Sequence, residues 1–460
     1  MSIDQAYEIL ERSIIYDRGE PVGTAAACDP KPVAANYEEC FVRDFVSAAL
    51  VFLLNGRPEI VRNFLDTVMQ LRGRQQVQRG HRGSSGLMPA SFRVNAVGDG
   101  LDADFGDRAI GRVVPVDSAM WWMFLLRAYV VATGDWDYAH QPDVQTCLRE
   151  ILDLYLVEQF ETAPTLLVSD GAFMIDRRMA VYGYPLEIQA LFYGMLLTAR
   201  ELLLCTGAER STLDMLDLRI GELREFVRVY YWIDRRRLNE IHRFHSEEFG
   251  PDVANVLNVY PESIPDWMDG WLDAQAGYLA GNQGPGRVDF RFFSQGNLLA
   301  VLFGVANARE GAAIMHLFER HWDTLIGEMP LKIVYPAVVG KEWMHLTGSD
   351  PKNVPWSYHN GGNWPVLLWP FVGAALRSGR ETMAVRAIEA VERRLADDDW
   401  PEYYDGKRGD LVGRRANFFQ TWSATGYILA HEILSHPDRR AMFNLFAFTD
   451  TAAGLEPQPD

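Results

Sequence analysis

Val168-Ser-Asp-Gly-Ala-Phe-Met-Ile-Asp-Arg-Arg-Met-Ala-Val-Tyr-Gly-Tyr-Pro-Leu-Glu-Ile-Gln189 begins as a loop and ends as a helix. Pro185 suits a first helical turn, where its missing N–H leaves nothing unpaired, and Glu187 complements the positive helix N terminus. Upstream, Asp176 stands between Phe173-Met174-Ile175 and Arg177-Arg178-Met179. Apolar neighbours raise a carboxyl pKa by desolvation, which a general acid needs at neutral pH. Arginines facing Asp176 would do the opposite. Either Arg177 and Arg178 turn toward other carboxylates and Asp176 is an acid, or Asp176 is their ordinary ion-pair partner.

The same passage from loop into helix recurs along the chain. Apolar periodicity predicts about a dozen helices: Ser2–Tyr16, Asn36–Leu54, Glu59–Gln76, Asp117–Thr133, Asp143–Gln159, Pro185–Cys205, Ser211–Tyr231, Ser294–Ala306, Ala308–Leu325, Asn363–Ser378, Glu381–Ala396 and Phe418–Leu434. Extended candidates are short, near Thr165–Val168, Met174–Ile175 and Tyr403–Tyr404, and 232–290 reads as irregular. Long loops alternate with short ones between paired helices, and no low-complexity linker or fixed-period repeat divides them. Paired helices side by side expose apolar ends unless the array closes. The expected fold is therefore all-α, an (α/α)6 toroid with its long loops at one mouth, where function concentrates. It forms a single domain over 1–460, with an N-terminal helix and loop at 1–35 and a C-terminal tail at 435–460.

The 460 residues are 48% hydrophobic, enough for one large closed core. A net charge of −18 argues against nucleic acid or an anionic membrane as partner. Cys28, Cys40, Cys147 and Cys205 are scattered, as free thiols in a reducing compartment are. The polar start, Met-Ser-Ile-Asp-Gln, lacks a signal peptide's apolar core, and no apolar run reaches a membrane span. A cytoplasmic protein acting on a neutral small molecule is expected.

Several polar clusters sit among aromatic residues in the loops. In Asp397-Asp-Asp-Trp-Pro-Glu402-Tyr-Tyr-Asp-Gly406, Pro401 biases Trp400 toward extended backbone and Asp405-Gly406 reads as a turn. Glu402 is either a base on a rigid loop or an ordinary glutamate beside a solvated acidic run. Phe41-Val-Arg43-Asp44-Phe45 places an Arg–Asp pair early in a helix, as a buried ion pair or a grip on hydroxyls. Asp117, before Trp121-Trp122, is a helix cap or a site acid. His359, Asn360 and Asn363 flank Gly361-Gly362 and suit hydroxyl recognition, unless they only form a polar turn. Asp289-Phe-Arg291-Phe-Phe and Phe419-Gln420-Thr-Trp-Ser are similar mixtures, each readable as core. There is no GxxxxGK[ST], GxGxxG or GxSxG. The pairs His242/His245 and His316/His321 have no companion carboxylate pattern for a metal, and Gly413-Arg-Arg415 is too small a basic patch for nucleic acid.

Taken together these segments resemble the alkaline/neutral invertase family of glycoside hydrolases. The resemblance runs from Asn36 to about Leu434. It is carried by Phe-Val-Arg-Asp-Phe (41–45), Val-Asp-Ser-Ala-Met-Trp-Trp (116–122), Met-Ile-Asp-Arg-Arg-Met (174–179), Tyr-Pro-Leu-Glu-Ile-Gln (184–189), Asp-Phe-Arg-Phe-Phe (289–293), the run Asp-Pro-Lys-Asn-Val-Pro-Trp-Ser-Tyr-His-Asn-Gly-Gly-Asn-Trp-Pro (350–365) and Trp-Pro-Glu-Tyr-Tyr-Asp-Gly (400–406). It implies cytosolic hydrolysis of sucrose to glucose and fructose, without metal or cofactor, by a homo-oligomer. It puts the general acid on Asp176 and the second carboxylate on Glu402. It draws the hydroxyl-binding wall from Arg43, Asp44, Asp117, Trp122, Gln189, Arg291, His359 and Gln420. The expected course is inversion at the glucosyl carbon, with the two carboxyl groups about 6.5–9.5 Å apart. The rivals are an α-glucosidase, trehalase or phosphorylase on the same barrel, a silent sugar-binding protein, and a helical scaffold.

Overall fold

The computed structural model describes residues 2–31, 36–73, 85–95, 97–98, 100–108, 113–156, 161–162, 164–168, 171–175, 177–247, 254–284 and 287–446. Twelve of its helices build the body: α1 (Ser2–Ser13), α2 (Phe45–Leu54), α3 (Pro58–Leu71), α4 (Ser118–Thr133), α5 (Pro142–Tyr155), α6 (Leu186–Cys205), α7 (Arg210–Tyr230), α8 (Ser294–Phe303), α9 (Ala308–Arg320), α10 (Leu368–Arg377), α11 (Glu381–Glu392) and α12 (Thr421–Ser435). The even-numbered helices form a closed inner ring. Each touches the next, and α12 returns to α2. The odd-numbered helices lie outside, so the chain forms the (α/α)6 toroid that its loop alternation predicts.

Composition sorts the two rings. In α2 every residue from Phe45 to Leu53 is buried, and α4 is buried from Ser118 to Val130. Such helices are apolar all round and belong inside. By contrast α7 buries only Leu216, Arg219, Leu223 and Val227, one stripe at helical spacing. Inner helices also need close approach. A side chain at Gly194 of α6 would strike the Phe303 ring of α8, with a Cβ at 2.6 Å. α6 is the one described helix long and apolar enough to cross a membrane by composition, but 72% of its apolar window is buried in this ring. α1 packs on α12 and so completes the outer ring.

Connections from inner to outer helices are short: 55–57, 134–141, 206–209, 304–307 and 378–380. Gly134 and Gly304, both left-handed, end α4 and α8 at these turns. Connections from outer to inner are long: 14–44, 72–117, 156–185, 231–293, 321–367 and 393–420. Neighbours joined by short turns run antiparallel. All six long connections therefore gather at one mouth, over the N termini of the inner helices.

Two local expectations fail there. The helix expected from Asn36 begins only at Phe45, because Cys40–Phe41 pairs as a strand with Ser91–Phe92. The stretch read as irregular contains a hairpin, Gly277–Gly284 with Arg287–Phe293. Tyr184–Pro185, Trp232–Asp234 and Val334–Tyr335 add to it. This five-stranded sheet ties together the loops before α6, α8 and α10. Its signal was readable in Arg287-Val-Asp-Phe-Arg-Phe, which alternates charged and apolar residues with a strand's period.

Candidate active site

A cavity of about 470 Å³ opens among the mouth loops. That lies within the roughly 300–1,000 Å³ usual for small-molecule pockets. Its wall includes Tyr37, Arg43 and Asp44 from the loop before α2, Phe173 and Met174 before α6, Asp350, Lys352 and His359 before α10, and Glu402 before α12. Other grooves exist, one of about 620 Å³ lined by Arg235, His242 and Asp273, but none of the pre-helix polar clusters opens into it.

Glu402 is 1% exposed and tightly seated. Its N–H donates to the Asn417 carbonyl at 2.9 Å, and Ser423 Oγ donates to the Pro401 carbonyl at 2.9 Å. Trp400, expected to be extended before proline, is instead left-handed at φ 53°, with its N–H on the Leu395 carbonyl. Trp356, Tyr358, Asp399, Arg415 and Phe419 also have positive φ, all in the loops before α10 and α12. Clustered strain of this kind is characteristic of functional sites. Behind the loop, buried Lys332 donates to Asn363 Oδ1 at 2.6 Å and the Lys407 carbonyl at 2.7 Å, pinning the turn after Glu402. Burial lowers the Lys332 ammonium to about 7. The Glu402 carboxyl meets two donors: the Tyr37 phenol on Oε1 and Lys352 Nζ, 3.5 Å from Oε2. Burial and the facing Glu402 push the Tyr37 phenol well up, so it stays protonated and donates.

Asp176 lies outside the described residues, as does the side chain of Arg177. Around that position Phe173, Met174 and Ile175 are buried, and Arg178 pairs with Asp350 at 3.0 Å. One arginine is thus turned toward another carboxylate, as an acid at 176 requires. The Met174 N–H donates to Glu187 Oε1 at 3.1 Å, which anchors this loop to the first turn of α6.

A second acidic knot sits behind the wall. Arg43 Nη1 meets Asp117 Oδ2 at 2.8 Å, and Asp117 makes no cap to its own helix. Burial alone would lower the Arg43 guanidinium, but Asp117, Asp44 and Glu187 hold it above its ordinary value. Asp44 makes no hydrogen bond or ion pair to a described residue and lines the cavity. Burial raises its carboxyl to about 7, Arg43 opposes this, and Glu402 and Asp117 add to it. Glu187 rises to about 8 through burial and Asp117, against Arg43 and the Met174 N–H.

His359 lines the cavity and stacks on Tyr358 with centroids 3.9 Å apart. Four other expected wall residues are elsewhere. Trp122 is fully buried and gives its indole N–H to the Leu65 carbonyl at 3.1 Å. Gln189 clamps both backbone groups of Leu166 at 2.9 Å. Arg291 is spent on Asp289, at 2.5–3.1 Å. Gln420 is fully buried at the N-cap of α12, with neither amide atom bonded to a described residue. Asp117, behind the wall with Arg43, and these four do not line the cavity, against the expected wall. Tyr37, Lys352, Asp350 and Trp422 line the cavity without having been singled out for it. Asp350 and Lys352 lie in the Asp-Pro-Lys segment of the longest motif, the one signal that pointed to them.

Chemically, the site offers a carboxyl group between a phenol and a lysine amine, and a second carboxyl, Asp44, that titrates near neutrality. No group of three or more metal-ligating side chains converges among the described residues.

Residues 6–437 match the family model described as alkaline and neutral invertase. Cytosolic invertase 1 of Oryza sativa subsp. japonica is 49% identical over 448 residues, covering 96% of this chain and 80% of the relative. Neutral/alkaline invertase 3, chloroplastic, of the same organism is 47% identical over 445 residues, covering 95% and 73%. Among solved structures, a bacterial glucoamylase complexed with acarbose superposes with a TM-score of 0.61. It is 11% identical, over 97% of this chain and 57% of that one, a likeness of fold.

Proposed function

The chain belongs to the alkaline and neutral invertase family of glycoside hydrolases, and from that premise we propose that it hydrolyses sucrose to glucose and fructose with inversion at the glucosyl anomeric carbon. The observation that carries the reading is Glu402, buried at a sugar-sized cavity and held by Tyr37 and Lys352. Donors on both oxygens fix the orientation of its carboxyl group, which a base that aims one water at one carbon needs. Asp176 protonates the bridging oxygen and fructose departs. Oxocarbenium character develops on the glucose ring, and Glu402 takes a proton from the water that attacks its opposite face. Arg43, Asp44 and His359 supply hydroxyl contacts, and Asp117 acts through Arg43. Trp122, Gln189 and Arg291 support the wall from behind.

The cytosolic rice relative and four free cysteines support a cytoplasmic location, alongside a chloroplastic relative of similar identity. Assembly as a homo-oligomer rests on the family resemblance, and light scattering reads it. The deciding experiment is purified protein on sucrose with product anomers followed by NMR. β-Glucose as the first product is expected. α-Glucose would replace inversion by retention, and no reducing sugar would end the reading.

A further inference from the structure

We propose that Lys352 is a positioning residue for Glu402: braced by Asp350, it pairs with that carboxyl group and holds it aimed into the cavity. The inference rests on the invertase reading above. Lys352 Nζ lies 3.5 Å from Glu402 Oε2 and 3.8 Å from the Tyr358 ring centroid. With the Tyr37 phenol on Oε1, each oxygen has one protein donor and keeps lone pairs for a water. A lysine on a flexible four-carbon stem does not hold such a place unaided. Here the chain around it is fixed. Asp350 Oδ1 accepts the Lys352 N–H at 2.9 Å, and Asp350 Oδ2 accepts Asn353 Nδ2 at 3.0 Å. The Asn353 carbonyl takes the Trp343 indole at 2.6 Å and Asn360 Nδ2 at 3.1 Å, while Asn353 Oδ1 takes the His359 N–H at 3.1 Å.

The segment also spans the cavity. Asp350 Oδ2 meets Arg178 Nη1 at 3.0 Å on the wall leading into α6, and Lys352 reaches Glu402 on the wall leading into α12. Residues 350–353 are thus a brace between two loops far apart in sequence. Tyr37, Asp44 and Tyr403 interact with Glu402 besides Lys352, and Arg178, Tyr358, His359 and Arg415 line the same cavity. Among the described residues Lys352 is the cation within ion-pair distance of it. Tyr37 also donates a hydrogen bond to it, so Lys352 is the charged one of its two donors.

The test is kcat and KM on sucrose across pH for wild type, Lys352→Met, Lys352→Arg and Asp350→Asn. Lys352→Met is expected to lose about 10²-fold in kcat, as a misaligned reacting group does, with a much smaller change in KM. Its acid limb moves to higher pH, because a carboxylate without its cation takes up a proton sooner. Lys352→Arg returns the limb toward wild type. Asp350→Asn moves kcat and limb the same way by less, and the double variant is no worse than Lys352→Met alone, since both act on one group. A packing role alone would lower the melting temperature and leave the limb in place, and that result overturns the assignment. If Lys352→Met fails to fold, Asp350→Asn decides on the same criterion. Titration of the Glu402 carboxyl by 13C NMR in wild type and Lys352→Met reads the linkage without substrate. A wild type inert on sucrose would therefore sink the invertase reading while this measurement still judges Lys352.

Discussion

Glu402 and Glu187 are residues of one type, each 1% exposed, each in the mouth of one barrel. Their nearest partners differ: a donor on each oxygen at Glu402, and at Glu187 a carboxyl neighbour, Asp117, opposed by Arg43. Glu402 faces a phenol and an ammonium and borders the cavity. Glu187 faces Asp117, holds a loop through the Met174 N–H, and is raised to about 8. Burial makes either carboxyl costly to ionise. The neighbours then decide whether it becomes a base or a neutral strut. The same division separates the mouth as a whole: a wall around Glu402 built by the loops before α10 and α12, and a knot of carboxyls around Arg43 at the starts of α2, α4 and α6.

The largest effect should come from the residue on the reactive side. Glu402→Gln keeps the shape and removes the base, so kcat should fall about 10²–10⁴-fold. Glu187→Gln at pH 7 exchanges a neutral acid for a neutral amide that still accepts the Met174 N–H. It should cost at most about 1 kcal/mol, the net worth of one hydrogen bond. Comparable losses of turnover in the two variants would erase the contrast.

Asp44 stands where the two regions meet, open to the cavity and coupled to both Glu402 and Asp117. If it grips a substrate hydroxyl, Asp44→Ala should cost about 1–3 kcal/mol in kcat/KM, the price of a buried group left unpaired. Asp44→Asn, neutral at every pH, should lose less and should weaken the fall in activity above about pH 7. Equal kcat/KM for Asp44→Ala and wild type would remove it from the wall.

The knot also predicts how stability depends on pH. Glu187 is raised from 4.5 to about 8 and Asp44 from 3.8 to about 7. Between those limits the folded chain keeps protons that the unfolded chain has lost. Their contribution is full below about pH 4, falls as pH rises through the window, and levels off above about 8. Each group adds at most about 1.4 kcal/mol per pH unit while it differs between the states. Glu187→Gln should flatten the fall in melting temperature between pH 5 and about 8. An unchanged slope would mean that Glu187 is already ionised at neutrality.

Much of the barrel was legible, because its two helix classes differ in composition and its connections alternate in length. Arg43, Asp44, His359 and Glu402 were legible because each lies in a polar–aromatic stretch of the connections leading into the inner helices. Trp122 was misread through closeness in sequence: it follows Trp121, yet the helix turns the two indoles to different surroundings. Trp121 lines the small apolar pocket beside Arg43 and Asp44, and Trp122 faces Leu65. Tyr37 and Lys352 were not legible as partners of Glu402. They lie 365 and 50 residues from it along the chain, and only the closing of the ring brings them together.

Gln420 is the smallest and sharpest test of that division. Its amide is fully buried at the N terminus of α12, two residues from Trp422 on the cavity wall, and neither amide atom bonds to a described residue. A buried polar group without partners weakens a fold, and an apolar side chain of the same shape is neutral or stabilising there. Gln420→Met should therefore leave the melting temperature unchanged or raise it by the equivalent of about 1 kcal/mol. Activity then separates two roles. If kcat/KM for sucrose holds, Gln420 belongs to the supporting layer with Trp122 and Gln189. If stability rises while kcat/KM falls, the amide is kept for the substrate, and the wall extends one residue layer deeper than the cavity shows. A drop in melting temperature would contradict both, because it would mean that the amide is satisfied within the fold.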